Sequence, residues 1–330
     1  MNTSYKFTDI PLKEIVRFGQ QTMLDLPLFN VSWILGRFCN YNCSYCWPYA
    51  HTDKPDHFEY TVYTNAIDEI KRQARENGFT DFHWSFSGGE PTAYKRLLDV
   101  VKHLDDGVTT PYQSIHMTTN LSPGPEWWRR FANITSLLQR RSITASYHSE
   151  FAREDEFVNK CLQLQDDTVA VTINQVMVPA QFWELYARCE RFYQKGINVT
   201  LKPQSDPTAS KILDGYDLNM QEALREGFTQ RYEEQEVYQI RLMDKYNSVY
   251  FMDQAERFNS FNFNKFTGWA CNSGYQSVII RGDLVKRAYS CRDDILGSLT
   301  EGFMLYDRPK VCITPSCVSS ADSKIPKCIN

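Results

Sequence analysis

Three cysteines lie within eight residues near the beginning of this chain, in the segment CNYNCSYCWP. Cys39, Cys43 and Cys46 follow one another at spacings of four and then three residues. A structural zinc site usually has four protein ligands, so three thiols in one loop leave one coordination position vacant. Thiolates also suit iron–sulfur clusters, and a [4Fe–4S] cube held by three cysteines has one iron free to bind another molecule. The spacing therefore predicts a metal centre at which chemistry takes place.

A second group of cysteines lies towards the end of the chain: Cys271, Cys291, Cys312, Cys317 and Cys328. Four thiols form a complete ligand set for zinc or for an iron–sulfur cluster. The first four are predicted to hold a second centre, in which Cys328 could replace one of them. A structural zinc knuckle and unligated buried thiols are the alternatives. Cys161 and Cys189 lie on predicted helices, where free cysteines are usually buried, and a hydrogen-atom donor is the alternative role.

Composition limits the class of protein. The chain has 330 residues, 42% hydrophobic and 14% aromatic, with a formal net charge of −4. This balance disfavours a nucleic-acid partner, and no run approaches the ~18 apolar residues of a membrane span. Because the N-terminus does not resemble a signal peptide, we expect a soluble cytoplasmic protein. In a reducing compartment, ten cysteines favour metal binding or redox chemistry over disulfides.

Strand and helix patterns alternate over the first two thirds of the chain. Strands are predicted at 31–37, 81–87, 114–120, 142–150, 169–178 and 197–203, with helices at roughly 61–77, 92–104, 125–140, 152–165 and 182–196. Repeated β/α units predict a parallel sheet with right-handed crossovers, either open and doubly wound or an incomplete barrel. Functional sites gather at the carboxyl ends of such strands.

Chemistry-bearing residues follow four of these predicted strands. The cysteine loop follows the first strand, and Ser87–Pro91, Thr118–Asn120 and His148–Glu150 follow the next three. Because the carboxyl ends of parallel strands meet at one edge of a sheet, we expect these segments to lie close together. Lys202, at the end of the sixth strand, is a further candidate for contact with a substrate or carboxylate.

The β/α repeat stops after about residue 207. A linker is predicted next, followed by a polar, helix-prone stretch over 218–258 and a hairpin over 276–290 with Gly282-Asp283 at its turn. The predicted organisation is an N-terminal extension (1–30), the β/α domain (31–207), a helical linker region (208–260) and a small cysteine-containing domain (261–330).

Two motifs together resemble the radical S-adenosylmethionine (radical SAM) enzyme family. Cys39-x3-Cys43-x2-Cys46, with the aromatic Tyr45 before the third cysteine, is similar to the family's signature. Ser87-Gly88-Gly89-Glu90-Pro91, after the second strand, looks like its GGE motif. The resemblance covers roughly residues 30–205 and implies a partial (β/α)6 TIM-like barrel. It also implies a [4Fe–4S] cluster that cleaves S-adenosylmethionine to a 5′-deoxyadenosyl radical, which then abstracts hydrogen from a substrate C–H bond.

The resemblance assigns roles residue by residue. The three cysteines of the loop would ligate the cube, and Tyr45 would lie near the adenine. Gly88 and Gly89 would let the backbone approach the ligand, and Glu90 would help to place the methionyl amino group. Strand-end polar residues would face the ribose or carboxylate, unless they merely cap loops: Asn120 and Ser146.

The C-terminal cysteines resemble the family's SPASM extension in its short form, called twitch. This likeness implies one auxiliary [4Fe–4S] cluster, held by the first four C-terminal cysteines. The chain departs from the pattern in a longer gap between Gly282 and Cys291, and in Ser319, where a cysteine is common. A fully ligated auxiliary cluster would favour net oxidation, by dehydrogenation or bond formation. Candidate bases for the accompanying proton are His148 and Glu150.

The segment before the first predicted strand bears on the substrate class. About 30 residues precede the first predicted strand, too few for a peptide-binding module, which favours a small molecule such as a sugar, cyclitol or nucleotide derivative. Cross-linking or epimerisation of a ribosomally made peptide is the alternative. An external electron donor such as flavodoxin or ferredoxin is expected as a partner. The rival class is a non-catalytic zinc or iron–sulfur binding module.

Overall fold

The structure is a computed structural model that describes residues 10–47, 50–105, 112–208, 211–228, 240–252, 263–291 and 293–329. The first half of its elements comprises β1 (Ile15–Gln20), α1 (Gln21–Asp25), β2 (Leu28–Ile34), α2 (Tyr60–Glu76), β3 (Asp81–Ser87), α3 (Leu97–His103), β4 (Gln113–Thr119), α4 (Pro125–Ile134), β5 (Arg140–Ser146), α5 (Glu154–Asp166), β6 (Ala170–Met177), α6 (Phe182–Gln194) and β7 (Asn198–Pro203). The second half comprises α7 (Leu218–Glu226), β8 (Ile240–Asp244), β9 (Val249–Met252), β10 (Ala270–Cys271), β11 (Ser277–Arg281), β12 (Leu284–Lys286), β13 (Ile295–Ser298), β14 (Gly302–Phe303), β15 (Lys310–Val311), α8 (Ser320–Ser323) and β16 (Lys327–Cys328).

The main sheet confirms the predicted α/β class. Strands β2 to β7 pair in parallel in chain order, and α2 to α6 connect them. The first predicted strand runs from Leu28 to Ile34 rather than from 31 to 37, because the next residues leave the sheet to hold the cysteine loop. The fourth ends at Ser146 rather than at 150, because the carbonyl of His148 accepts turn hydrogen bonds.

The predicted C-terminal hairpin forms, but it belongs to the main sheet. Strands β11 and β12 are antiparallel around a turn at Gly282, whose φ is 57°. Strand β11 also pairs in parallel with β2, which gives a ten-stranded sheet in the order β14-β13-β12-β11-β2-β3-β4-β5-β6-β7. Residues of the predicted C-terminal domain therefore share a sheet with the β/α repeat.

A second, six-stranded sheet joins the two ends of the chain, in the order β15-β10-β16-β1-β8-β9. Strand β1 lies in the predicted N-terminal extension and pairs with β8 and β16. The helical prediction over 218–258 is wrong from Ile240 onwards: α7 forms, but β8 and β9 follow it. In β8, burial alternates with the period of a strand, because it pairs with β1 far away in sequence. Residues 209–210, 229–239 and 253–260 of the predicted linker lie outside the described residues.

The main core lies between one face of the ten-stranded sheet and helices α2 to α6. In β3, Phe82, Trp84 and Phe86 are fully buried in this core, whereas the alternating residues face the other side. Cys161 and Cys189 are also fully buried there, as predicted. Among the described residues, no helix is long and apolar enough to cross a membrane.

Candidate active site

The cysteine loop follows β2 and brings its three thiols near one another. The backbone N–H of Cys46 donates to the carbonyl of Cys43 at 3.0 Å, and the N–H of Tyr41 donates to Cys39 Sγ at 3.4 Å. Burial raises the pKa of Cys43 to about 12, and the neighbouring thiols of Cys39 and Cys46 add to that rise. The free thiols are thus protonated near neutral pH, and a bound cationic centre is what would convert them into thiolates.

The donor set suits a multi-iron cluster. Within the described residues, no group of three or more His, Cys, Asp and Glu side chains converges on a position for a single metal ion. In a four-iron cube each cysteine binds a different iron, so the ligands need not converge on one point. Three neighbouring thiols on one loop are therefore compatible with the cluster that the sequence predicts.

Gly88 and Gly89 allow β3 to pack directly on the chain that enters the cysteine loop. A Cβ on Gly89 would come within 3.0 Å of the carbonyl oxygens of Arg37 and Phe38, and one on Gly88 would meet the carbonyl of Gly36 equally closely. The Gly89 N–H donates to the Gly36 carbonyl at 2.9 Å. In the structure, these glycines thus let the backbone pack closely against the loop itself. Their close approach to a ligand stays a prediction.

Glu90 joins the ends of β3 and β4. Its carboxylate accepts hydrogen bonds from the Asn120 N–H at 2.6 Å, the Thr119 hydroxyl at 2.7 Å and the Thr92 hydroxyl at 2.6 Å. Burial raises the pKa of Glu90, and these hydrogen bonds oppose that rise. With a side chain only 2% exposed, Glu90 has a clear role in aligning the two strand ends; its role in placing a methionyl amino group stays a prediction.

Asn120 connects β4 to the first cysteine. Its side-chain amide donates to Asn40 Oδ1 at 2.9 Å and lies 4.0 Å from Cys39 Sγ. Ser146 ends β5, half-buried, opposite Asn174 of β6. The structure thus brings Asn120 to the cysteine loop, whereas it gives Ser146 no hydrogen bond within the described residues.

The two candidate bases also contact the cysteine loop. Tyr45 Oη lies 2.8 Å from His148 Nδ1, and the two rings are stacked. Glu150 accepts hydrogen bonds from the N–H and the hydroxyl of Ser44, at 3.0 and 2.7 Å. Burial lowers the pKa of His148 to about 4, so its imidazole is neutral near pH 7. These contacts attach the loop to the end of β5, and proton abstraction by either residue stays a prediction.

Asp56 is a site residue that sequence reasoning missed. Its carboxylate accepts the N–H groups of Arg37 and Phe38 at 2.9 and 3.0 Å, and so holds the chain where it enters the cysteine loop. Eighteen residues separate Asp56 from Phe38, and no motif connects them. Only a search of all the acidic residues that lie near the cysteine motif in the sequence could have identified Asp56 as a candidate.

Part of the chain matches a known protein family. The family model for the Radical SAM superfamily matches residues 33–146. This match covers the cysteine loop and the strands from β2 to β5, so this part of the chain resembles a radical SAM domain. No curated protein sequence matches it.

Solved structures share the radical SAM fold with this chain. Native anSMEcpe with bound AdoMet aligns with a TM-score of 0.54 and 15% identity, covering 84% of this chain and 79% of that one. Native anSMEcpe with bound AdoMet and the Kp18Cys peptide aligns with a TM-score of 0.52 and 14% identity, covering 84% and 78%. At such identities the likeness concerns the fold, and the structure confirms the predicted resemblance to partial radical SAM barrels.

The face of the radical SAM sheet opposite the helices is polar; we call it the inner face. Strand pairing places its side chains in register: Ser32 beside Ser85, Ser85 beside His116, His116 beside Ser142, Thr118 beside Thr144, and Ser146 beside Asn174. The imidazole of His116 contacts the hydroxyls of Ser142 and Thr144 at 2.9 and 3.2 Å. Lys202 is exposed at the end of β7. Hydroxyl and amide groups thus dominate this face.

The four predicted C-terminal cysteines lie outside the strands β2 to β7. Cys291 Sγ lies 3.4 Å from the hydroxyl of Thr314, whose carbonyl is 3.9 Å from Cys312 Sγ. Burial raises the pKa of Cys291, and the nearby thiols of Cys271 and Cys312 raise it further. Cys317 shares one buried cluster with two of them. The structure therefore brings Cys271, Cys291 and Cys312 near one another, and the binding of one cluster by all four thiols stays a prediction.

Cys328 faces away from this group. In the antiparallel pair of β10 and β16, Cys271 stands opposite Lys327, and Ala270 stands opposite Cys328. Residues directly opposite share a face, and neighbours along a strand point to opposite faces. Lys327 thus occupies the position that faces Cys271, which disfavours Cys328 as a replacement for one of the four ligands; the ligand set itself stays a prediction.

Proposed function

We propose that this chain is a radical SAM enzyme in which Cys39, Cys43 and Cys46 bind a [4Fe–4S] cluster, with S-adenosylmethionine at its fourth iron. One observation carries the proposal: the cysteine loop is attached to the carboxyl ends of three parallel strands. Contacts from Glu90 at the end of β3, Asn120 after β4 and Glu150 after β5 converge on the loop or its supports. Ligands in open α/β sheets bind at this edge.

The chain's own residues position and shield the reaction. When bound, the cofactors supply a 5′-deoxyadenosyl radical that abstracts hydrogen from a substrate C–H bond. Asp56, Asn120 and Glu150 hold the cysteine loop in place through the hydrogen bonds described above. We assign Tyr45 to the adenine, Glu90 to the methionyl amino group, and Asn120 and Ser146 to the ribose or carboxylate.

We further propose that the substrate is a polar small molecule bound along the inner face. Half-buried hydroxyls of Ser85, Thr118, Thr144 and Ser146 and the amide of Asn174 can exchange hydrogen bonds with a ligand rich in hydroxyl or amino groups. An apolar ligand would leave such groups desolvated and unpaired, which is unfavourable. Lys202 adds a positive charge suited to a carboxylate or phosphate.

The C-terminal cysteines support a net oxidation as the overall reaction. Cys271, Cys291, Cys312 and Cys317 supply a full ligand set for one auxiliary [4Fe–4S] cluster, in a twitch-like region. We propose that an external donor of the flavodoxin or ferredoxin class reduces the enzyme, and that His148 or Glu150 takes the substrate proton.

The radical chemistry is tested with anaerobically reconstituted protein. We expect iron and sulfide in amounts that match two cubes, and release of 5′-deoxyadenosine from S-adenosylmethionine under dithionite. Cys43→Ala should abolish this release, whereas Cys161→Ala, in the helical core, should retain it. Persistent release by Cys43→Ala would falsify the cluster assignment, and colourless protein with zinc at both cysteine groups would favour the non-catalytic binding module.

The substrate class is tested with fractions of a cell extract. A filtrate of small molecules should stimulate 5′-deoxyadenosine release, whereas a peptide fraction should not. Thr118→Val and Thr144→Val together remove two inner-face hydroxyls with little change of shape. They should reduce the stimulation at least tenfold while the release without substrate persists. Stimulation by the peptide fraction alone would instead support modification of a peptide.

A further inference from the structure

Two buried cations flank the four C-terminal cysteines. Arg287 and Lys327 each have only 3% of their surface exposed. Arg287 follows β12 and Lys327 begins β16, so the two charges reach the cysteines from different elements. Burying a charge is unfavourable unless a partner or hydrogen bonds compensate for it. Two such charges beside one group of thiols therefore require a physical reason.

Arg287 has a nitrogen left without a partner. Its Nη2 donates to the carbonyl of Lys310 at 2.9 Å, and its Nη1 pairs with the carboxylate of Asp294 at 3.2 Å. Its Nε is buried and makes no hydrogen bond within the described residues. The guanidinium lies close enough to the thiols of Cys271 and Cys291 to act on both electrostatically. The unpaired Nε–H thus belongs to a guanidinium that lies beside the thiols.

Lys327 donates hydrogen bonds to backbone carbonyls and contacts two aromatic rings. Its Nζ donates to the carbonyls of Asp322 at 2.8 Å and Ile325 at 3.0 Å, and it lies over the rings of Phe18 and Phe266. Lys327 stands directly opposite Cys271 in the sheet. Residues directly opposite each other in an antiparallel pair share a face, so the side chains of Lys327 and Cys271 extend from the same face of the sheet. Two buried positive charges therefore border the C-terminal cysteines.

These observations fit an anionic centre. An iron–sulfur cluster bound by four thiolates carries a net negative charge, and its one-electron reduction adds another. Positive charges and N–H donors near the sulfurs stabilise the reduced form more than the oxidised form, which raises the reduction potential. A single zinc with the same ligands would have the charge compensated too, but it has no redox couple to be shifted.

We propose that Arg287 and Lys327 are the counter-charges of the C-terminal iron–sulfur centre, and that they raise its reduction potential, with Arg287 Nε donating a hydrogen bond to one of its sulfurs. The proposal rests on the auxiliary cluster proposed above. It makes the two side chains positioning and tuning residues: they would act on the centre rather than on the substrate. With these two charges beside it, the centre accepts an electron more readily than it would without them.

The experiment uses the full-length chain with Cys39, Cys43 and Cys46 all changed to Ala, so that the C-terminal centre is observed alone. Its potential is measured by a redox titration followed by electron paramagnetic resonance. Arg287→Gln and Lys327→Gln should each make reduction at least tenfold less favourable, a shift of about −59 mV for a one-electron couple. Arg281→Gln removes an exposed cation from the same hairpin and should leave the potential unchanged.

The charge and the hydrogen bond of Arg287 can be separated. Arg287→Lys keeps the charge and loses Nε, so we expect a smaller shift of the potential than in Arg287→Gln. If Arg287→Gln does not assemble a centre, the potential of Arg287→Lys still tests the hydrogen bond from Nε. Equal potentials in Arg287→Lys, Lys327→Gln and the parent would overturn the inference and leave the auxiliary cluster standing. Zinc, or no iron and sulfide, in the parent would overturn the auxiliary cluster itself.

Discussion

The backbone of Gly89 lies directly against the carbonyl oxygen of Phe38, with no room for a Cβ between them. Phe38 immediately precedes the first cysteine of the loop, and the Glu90 N–H donates to the same carbonyl at 2.8 Å. The end of β3 therefore sets the position of the cysteine loop through backbone contacts. This relationship explains by packing alone why two glycines stand before Glu90.

Gly89→Ala should displace the cysteine loop. The added methyl group would overlap the carbonyls of Arg37 and Phe38, and neither is the end of a flexible side chain. We expect a loss of about 2 kcal/mol or more in the free energy of unfolding, with poor iron retention, measured by denaturation and iron analysis. Gly124→Ala, where a Cβ meets no atom within 4 Å, should cost at most about 1 kcal/mol. Equal iron content in both variants would contradict the packing role.

Asp56→Ala should loosen the entry to the loop. The carboxylate accepts two backbone N–H groups, and hydrogen bonds to a charged acceptor are worth roughly 1.5–3 kcal/mol each. We expect faster loss of the cluster on dilution or exposure to a chelator, followed by visible absorption. Asp53→Ala is the matched control, because that side chain is 89% exposed. Indistinguishable decay of the two variants would remove Asp56 from the site.

The inner-face histidine His116 should make the protein less stable in acid. Burial, together with the nearby charges of Lys324 and Arg140, lowers the pKa of His116 from 6.5 to about 4. Above about pH 6.5 the ring is neutral in both the folded and the unfolded chain, so it adds no pH dependence. As the pH falls towards 4, only the unfolded chain takes up the proton, and roughly 3 kcal/mol of stability is lost.

His116→Asn should therefore flatten the acid limb of the stability curve. We expect urea unfolding at pH 5 and pH 7 to differ less in the variant than in the parent protein. The neighbouring His83, whose pKa burial lowers in the same direction, retains part of the effect. The same pH dependence with and without His116 would show that its proton uptake does not differ between the two states.

The two faces of β16 predict opposite results for two cysteines. Cys328 extends from the face of the sheet opposite to that of Cys271, so Cys328→Ser should retain the C-terminal centre. Cys317→Ser removes a thiol that lies in the same buried cluster as Cys271 and Cys312, and should lose most of that iron. Iron and sulfide analysis in the background without the N-terminal loop cysteines measures both. Retention by Cys317→Ser with loss by Cys328→Ser would reverse the ligand assignment.

Local patterns in the sequence determined the fold class, the resemblance to radical SAM enzymes and the predicted position of the site. The spacing of Cys39, Cys43 and Cys46 and the segment Gly88-Gly89-Glu90 are contiguous motifs, and strand and helix periods are local properties of the chain. The edge of a parallel sheet at which the strands end follows from their order alone. These features therefore needed no knowledge of long-range contacts.

Only the tertiary structure decided how distant residues meet. The pairing of β1 with β16, the anchoring of the loop by Asp56, the orientation of Cys328 and the positions of Arg287 and Lys327 all depend on register between segments far apart in sequence. A strand that shifts by one residue exchanges its faces, so the same cysteines could point into the centre or away from it. Packing settles that choice, and no local pattern in the chain records it.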